Sequence, residues 1–284
     1  MRVMFFDFSS AFNTIRPALI RNKLLDMQVD APLVAWITNY LTGRPQYVRL
    51  QNIVSDTFVS STGAPQGTVL SPFLFTLCTS DFSFCSQPCH LQKFSDDSAI
   101  VGCISGGQEA EYRGVVERFV EWCGLNYLQL TKTKKLVVDF RRQRTRPNPF
   151  SINGTEVDIV DEYKYLGVHI DNKLDWTKNT EAVFKKGQYF LRRLRSYNVC
   201  RTMLQMFYHS VVSSAIFYAV VCWGSRLTAV DANRLNKFVR TAGSVLGVEL
   251  ESFVEVSERR MLGKLPSNFI TPPLSAGRKT DTPE

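Results

Sequence analysis

Two adjacent carboxylates, Asp96 and Asp97, stand in "HLQKFSDDSAIVG" between two apolar runs. Side by side they repel each other, and a dry core would reject both. A polar turn accounts for "DDS" alone, because Asp is a common turn residue. A third acid, Asp7, closes another apolar run, "RVMFFDF". If neighbouring strands bring Asp7 to the Asp96–Asp97 bend, three charges share one place, and they stay ionised there only around a cation. Oxygen-only ligands suit a hard divalent ion, Mg²⁺ above all. A pair of such ions is one device for displacement at phosphorus, one activating the attacking oxygen and the other steadying the leaving group.

The elements that must position these acids are legible. "RVMFFDF" reads as a buried strand, and "HLQKFSDDSAIVGCI" as a hairpin bending at Asp96–Asp97. Residues Arg16 to Val29 and Asp30 to Leu41 have helical spacing, with Pro17 and Pro32 suited to first turns. "TGRPQYVRL" and "DTFVSS" read as short strands around a turn at Gln51 to Ser55. The Gly/Pro loop "STGAPQGTVLSP" leads into an apolar helix, "LFTLCTSDF". Gly106 and Gly107 open a helix through "EYRGVVERFVEWCGLNYLQL". "KKLVVDF" reads as a strand, "PFSINGTEVDIV" as a hairpin at Asn153-Gly154, and "YKYLGVHI" as one further strand. From Trp176 to Leu246 the pattern is helical, and the tail from Pro266 reads as disordered.

A net charge of +8 favours a polyanionic partner, nucleic acid or an anionic surface. Hydrophobic content of 44% supplies a sizeable core and excludes wholesale disorder. The seven cysteines lie scattered without zinc spacing, which reads as reduced thiols in an intracellular compartment, nucleus or cytoplasm. Asp7 interrupts the first apolar run, so no signal peptide is visible. "VVSSAIFYAVVCW" is too short to span a bilayer and reads as a buried helix, so no membrane partner is expected.

"FFDFSSAFNTI", "STGAPQGTVLSPFLF", "FSDDSAIVG", "WCGLNYLQLTKTKKLVVDF" and "YKYLGVHI" follow the order of reverse transcriptase palm motifs. The chain most resembles the LINE-type, non-LTR retrotransposon branch over roughly residues 1–265. The resemblance implies an α+β fold: a polymerase palm, an antiparallel sheet with helices on one face, then a mainly helical thumb-like domain. It places the palm at 1–145, a hairpin and primer-grip strand at 146–171, the thumb-like domain at 172–265 and a disordered tail at 266–284. The abrupt start at that first strand reads as a piece of a larger polyprotein, truncated before the fingers.

The resemblance also implies roles. Asp7, Asp96 and Asp97 match the catalytic metal-binding acids, with the Phe8 main-chain carbonyl as a further ligand of two Mg²⁺ ions, Mn²⁺ being an alternative. Phe12 matches the steric gate that rejects a 2′-hydroxyl; read alone, it is a core aromatic. Gln66 and Gly67 match the loop beside the incoming deoxynucleotide triphosphate. Tyr165, Leu166 and Gly167 match the segment that positions the primer. The lysine that protonates pyrophosphate falls at Lys132 or Lys134, because two residues of the usual spacing are missing; register with "LVVDF" prefers Lys132. Two basic stretches, Lys132–Arg146 and Lys185–Arg201, suit a nucleic-acid channel. The implied activity is RNA-directed DNA synthesis from an RNA template and DNA primer. The alternative is a catalytically inactive nucleic-acid-binding remnant.

Overall fold

The computed structural model describes residues 1–84, 86–104, 109–141, 149–196 and 200–264. Gly106, Gly107, the stretch 142–148 of the first basic run and the tail 266–284 lie outside the described residues. The chain divides into two units, Met1–Leu174 and the remainder from Asp175.

The first unit begins with β1 (Arg2–Phe6), a 3₁₀ turn (Ala11–Thr14), α1 (Pro17–Asp26) and α2 (Ala31–Leu41). A ribbon follows: β2 (Arg44–Gln46), β3 (Arg49–Leu50), β4 (Ile53–Val54) and β5 (Phe58–Ser60). Then come α3 (Leu70–Cys78), β6 (Cys89–Phe94), β7 (Asp97–Gly102), α4 (Glu109–Leu125) and β8 (Lys134–Val137). The unit ends with β9 (Ser151–Ile152), β10 (Thr155–Glu156), β11 (Asp158–Val160), β12 (Glu162–Tyr165) and β13 (Val168–Asp171).

One sheet, ordered β11-β8-β1-β7-β6, organises the unit. All its pairings are antiparallel except β11 with β8, which is parallel. The sheet is therefore mixed rather than wholly antiparallel: after the β9–β10 turn, the chain re-enters the edge alongside β8 instead of folding back on it. Alternation along β1 gives the sheet two faces. Met4, Phe6 and Phe8 join the larger core, with Ile20, Leu24, Leu41, Phe75, Val115, Val116 and Phe119 from the helices. Val3 and Phe5 join Ala99, Leu136 and Val138 on the other face, covered by Tyr163, Tyr165 and Ile170.

"YKYLGVHI" is a hairpin, not one strand. β12 and β13 pair antiparallel, closing Tyr165 onto Val168. Leu166 (φ 47°) and Gly167 (φ 82°) form its bend in left-handed backbone, where a tight two-residue turn matches the twist of its strands. Glycine adopts this conformation freely, and leucine does so at a cost.

Buried Lys23 ties three helix ends together. Its ammonium donates to the Cys78 carbonyl (2.5 Å), Asp81 Oδ1 (2.8 Å) and Asn126 Oδ1 (2.5 Å). Three acceptors match its three protons, so the buried charge is fully compensated.

The second unit is helical: α5 (Thr177–Ser196), α6 (Arg201–Phe207), a π-helical segment (Tyr208–Ser213), α7 (Ser214–Ile216), α8 (Val220–Trp223), α9 (Ala229–Leu246) and α10 (Phe253–Leu262). Arg201–Arg226 is long and apolar enough, by length and composition, to cross a membrane. It is not one uniform buried helix. Ala219 takes φ 49° and breaks it, while Tyr208, Val212, Ile216 and Trp223 are buried in this unit. Thr228 caps α9, and Ser252 with Glu255 forms a capping box on α10.

Candidate active site

Pairing of β1 with β7 places the acids. Phe5 faces Ala99 and Phe6 faces Ser98. Continued by one residue, that register sets Asp7 against Asp97, both on the face that carries Phe5 and Ala99. Asp96 sits in the bend, where Ser95 takes φ 55°, and Phe94 pairs with Asp97 to close the hairpin. Partial desolvation, then Asp96, then Asp7 push the Asp97 carboxyl above its ordinary value. Asp97 therefore shares one electrostatic neighbourhood with Asp96 and Asp7.

Asp7 is anchored through its main chain. Its carbonyl accepts from the Thr131 amide at 2.9 Å, and Ser9 donates to the Gln129 carbonyl at 2.8 Å. These bonds flank the bridge between Phe8 and Leu130, so the N–H and C=O of Phe8 point away from that strand. Lys132 follows Thr131 directly and is exposed. Lys134 is engaged elsewhere, in an ion pair with Asp158 at 2.5 Å.

The Gly/Pro loop is pinned to the turn after Asp7. Gly63 donates to the Ile15 carbonyl (2.7 Å), and Ala64 to the Phe12 carbonyl (2.8 Å). Phe12 is half-buried, with its ring 5.4 Å from Phe75. Exposed Gln66 donates to Asn13 Oδ1 at 3.4 Å. Gly67 takes φ 81° in open space. Arg44 holds the loop's base through the carbonyls of Thr62 (2.6 Å) and Gly63 (2.7 Å). Nothing in the sequence marks Arg44 for this task.

Tyr163 is a neighbour of the acids that the sequence reading missed. Its ring stacks on Phe5 at 4.0 Å and 11°. Burial, then Asp7, then Asp97 raise its phenol. Tyr165 lies 5.3 Å from Phe5; burial, then Asp97, push its phenol up to about 12, and its buried hydroxyl has no hydrogen-bond partner among the described residues. The i, i+2 spacing of the two tyrosines was the available signal, since both must face the sheet. Leu166 and Gly167 lie at the hairpin bend beyond them.

Residues 2–170 match the family described as reverse transcriptase (RNA-dependent DNA polymerase). The chain belongs to the reverse transcriptase family. A second family, described as the N-terminal region of alkylated DNA repair protein alkB homolog 8, matches residues 176–214. Among curated relatives, the probable RNA-directed DNA polymerase from transposon BS of Drosophila melanogaster is 25% identical over 240 residues, covering 78% of this chain and 26% of that protein. That from transposon X-element of the same fly is 27% identical over 194 residues, covering 63% of this chain and 20% of that protein. The jockey polymerase of Drosophila funebris is 25% identical, covering 78% of this chain and 25% of that protein. The reverse transcriptase domain here is thus of the LINE type, and the chain spans about a quarter of the length of these relatives. A solved telomerase from Candida tropicalis aligns with 94% of this chain and 47% of its own at 13% identity and TM-score 0.46.

Reverse transcriptases use divalent metal ions. Among the described residues no three His, Cys, Asp or Glu side chains form a ready-made metal cluster. The donor types fit a hard cation all the same: the strand register runs Asp7 towards Asp97, Asp96 lies in the adjoining bend, and carboxylate oxygens are the ligands such an ion takes.

Proposed function

We propose that this chain carries the polymerase site of a LINE-type RNA-directed DNA polymerase, joining a deoxynucleotide to a primer 3′-hydroxyl on an RNA template. The observation that carries the reading is the strand register that sets Asp7 beside the Asp96–Asp97 bend. Asp7, Asp96 and Asp97, with the Phe8 carbonyl, would hold two Mg²⁺ ions, Mn²⁺ being a substitute. When bound, such ions would supply Lewis-acid chemistry, favouring the ionised attacking hydroxyl and the charge of the departing pyrophosphate.

The remaining roles belong to the chain's own residues. Phe12 borders the sugar and rejects a 2′-hydroxyl, with its backbone fixed by Ala64. Gln66 and Gly67 contact the incoming nucleotide and template, where a glycine lets backbone approach closely. Tyr165, Leu166 and Gly167 position the primer end from the hairpin bend. Lys132 delivers a proton to pyrophosphate; the ion pair of Lys134 with Asp158 and the adjacency of Lys132 to the Asp7 anchor favour this choice. In this reading residues 1–145 are the palm, 146–171 the hairpin and primer grip, and 172–265 the thumb-like part. The basic stretches Lys132–Arg146 and Lys185–Arg201 hold phosphates without reading sequence.

Primer extension on an RNA template with Mg²⁺ is the test. Asp96→Asn is expected to reduce incorporation at least about a hundredfold, the scale of losing a metal ligand. Equal background incorporation by wild type and variant sinks the catalytic reading. Salt-sensitive template binding that survives such a result supports the inactive, nucleic-acid-binding alternative, which the shortened lysine spacing favours.

A further inference from the structure

The second unit contains a cleft of about 400 Å³ between α5 and α9. One wall is Phe184, Gln188, Leu191 and Arg192, a single helical stripe. The other is Arg234, Lys237, Phe238 and Thr241, a second stripe of the same kind. Leu191 and Phe238 are buried and form the floor, while Arg192, Arg234 and Lys237 are exposed at the rim. Gly187 lets the helices approach: a Cβ there would lie 3.0 Å from the Phe238 ring and 3.2 Å from Ile216.

The lining has an unusual charge balance. Three cations face it, and no carboxylate lines it among the described residues. Glu181, one turn before Phe184 on α5, is paired with Lys185 at 2.7 Å. The Arg234 guanidinium lies 3.8 Å over the Phe184 ring, which holds it in place and leaves its other face to stack. A fixed guanidinium plane beside an apolar floor suits a nucleobase, and clustered Arg and Lys suit phosphate. The volume is that of a small-ligand site.

We propose that the α5–α9 cleft binds a nucleotide unit bearing a 5′-phosphate, its base against Arg234 and the Leu191–Phe238 floor and its phosphate on Arg192, Arg234 and Lys237. The source is either a free nucleotide or the 5′-end of a strand. All its lining residues belong to the second unit, and none of Asp7, Asp96 and Asp97 is among them.

Photolabelling of the full chain with 8-azido-ATP, followed by peptide mapping, tests this. Label is expected on α5 and α9, undiminished in Asp96→Asn and reduced about tenfold in Arg234→Gln and in Lys237→Gln, as expected for loss of one charged phosphate contact. Both side chains are exposed, and unchanged circular dichroism confirms that the variants fold. ATP should compete at least about tenfold better than inorganic phosphate. A 5′-phosphorylated short RNA that competes better than both ATP and its 5′-hydroxyl twin identifies a strand end; ATP competing better than both RNAs identifies a free nucleotide. Label confined to other segments, or undiminished in both Gln variants, overturns the proposal. So does equal competition by inorganic phosphate or by polyglutamate, which would show charge attraction without nucleotide recognition.

Discussion

Phe5 and Phe6 are neighbours on β1, each 2% exposed, yet they belong to different cores. Phe6 meets Phe119 at 4.6 Å within an aromatic cluster that includes Phe8, Phe82 and Trp122. Phe5 lies under a thinner cover, the Tyr163–Tyr165 hairpin with Ile170 and Leu174. The thick face is sealed by four helices and holds the larger share of the buried apolar side chains. The thin face leaves room at its end for three acids, which a continuous core would have forced out. The carboxylates stand where burial is least complete.

The strongest way to break this contrast is to excavate the thick face. Phe119→Ala removes the ring that touches Phe6, Phe8, Phe82 and Trp122, and should cost about 3–5 kcal/mol in urea unfolding. If Tyr163→Ala cost as much, the two faces would be equal partners; the expected loss is nearer 1–2 kcal/mol, because Tyr163 is only half-buried. The smallest effect sharpens the contrast through charge. Asp97 is held above its unfolded pKa, so the native state binds the proton more tightly and the ionised carboxylate works against folding at neutral pH. That penalty fades as pH falls through the raised native pKa towards the unfolded one. Asp97→Asn should therefore raise the thermal midpoint at pH 7 slightly, on the order of 1 °C, with the gain shrinking in acid while incorporation is lost. A lower midpoint at pH 7 would show that Asp97 makes a stabilising contact instead.

Local patterns carried much of the architecture. The β6–β7 hairpin, β1, and the helices starting at Pro17 and Ala31 follow from apolar periodicity and proline placement. Asn153-Gly154 carries an explicit turn signal, and both residues take positive φ. Leu166-Gly167 lacks that signal, since leucine is rare in left-handed backbone, and the hairpin was hidden inside an apparently continuous strand. The parallel pairing of β11 with β8 joins segments more than twenty residues apart, and no local pattern encodes it. The break at Ala219 lies in a run whose composition reads as unbroken helix. For the site, the approach of Asp7 to Asp97 was legible because two strong strands end in acid. Tyr163 and Arg44 were not, because their roles arise only once a hairpin and a loop have been folded over.

One missing carbon sets the spacing between the Gly/Pro loop and the turn that follows Asp7. A Cβ on Gly63 would fall 2.8 Å from the Asn13 Cα and 3.1 Å from the Phe12 carbonyl oxygen, in backbone already at φ 72°. Even alanine would wedge the two loops apart and tilt Phe12. Gly63 thus acts as a gauge: a hydrogen atom, the thinnest spacer the chemistry of life offers, fixes how closely the Gly/Pro loop lies against the turn that carries Phe12.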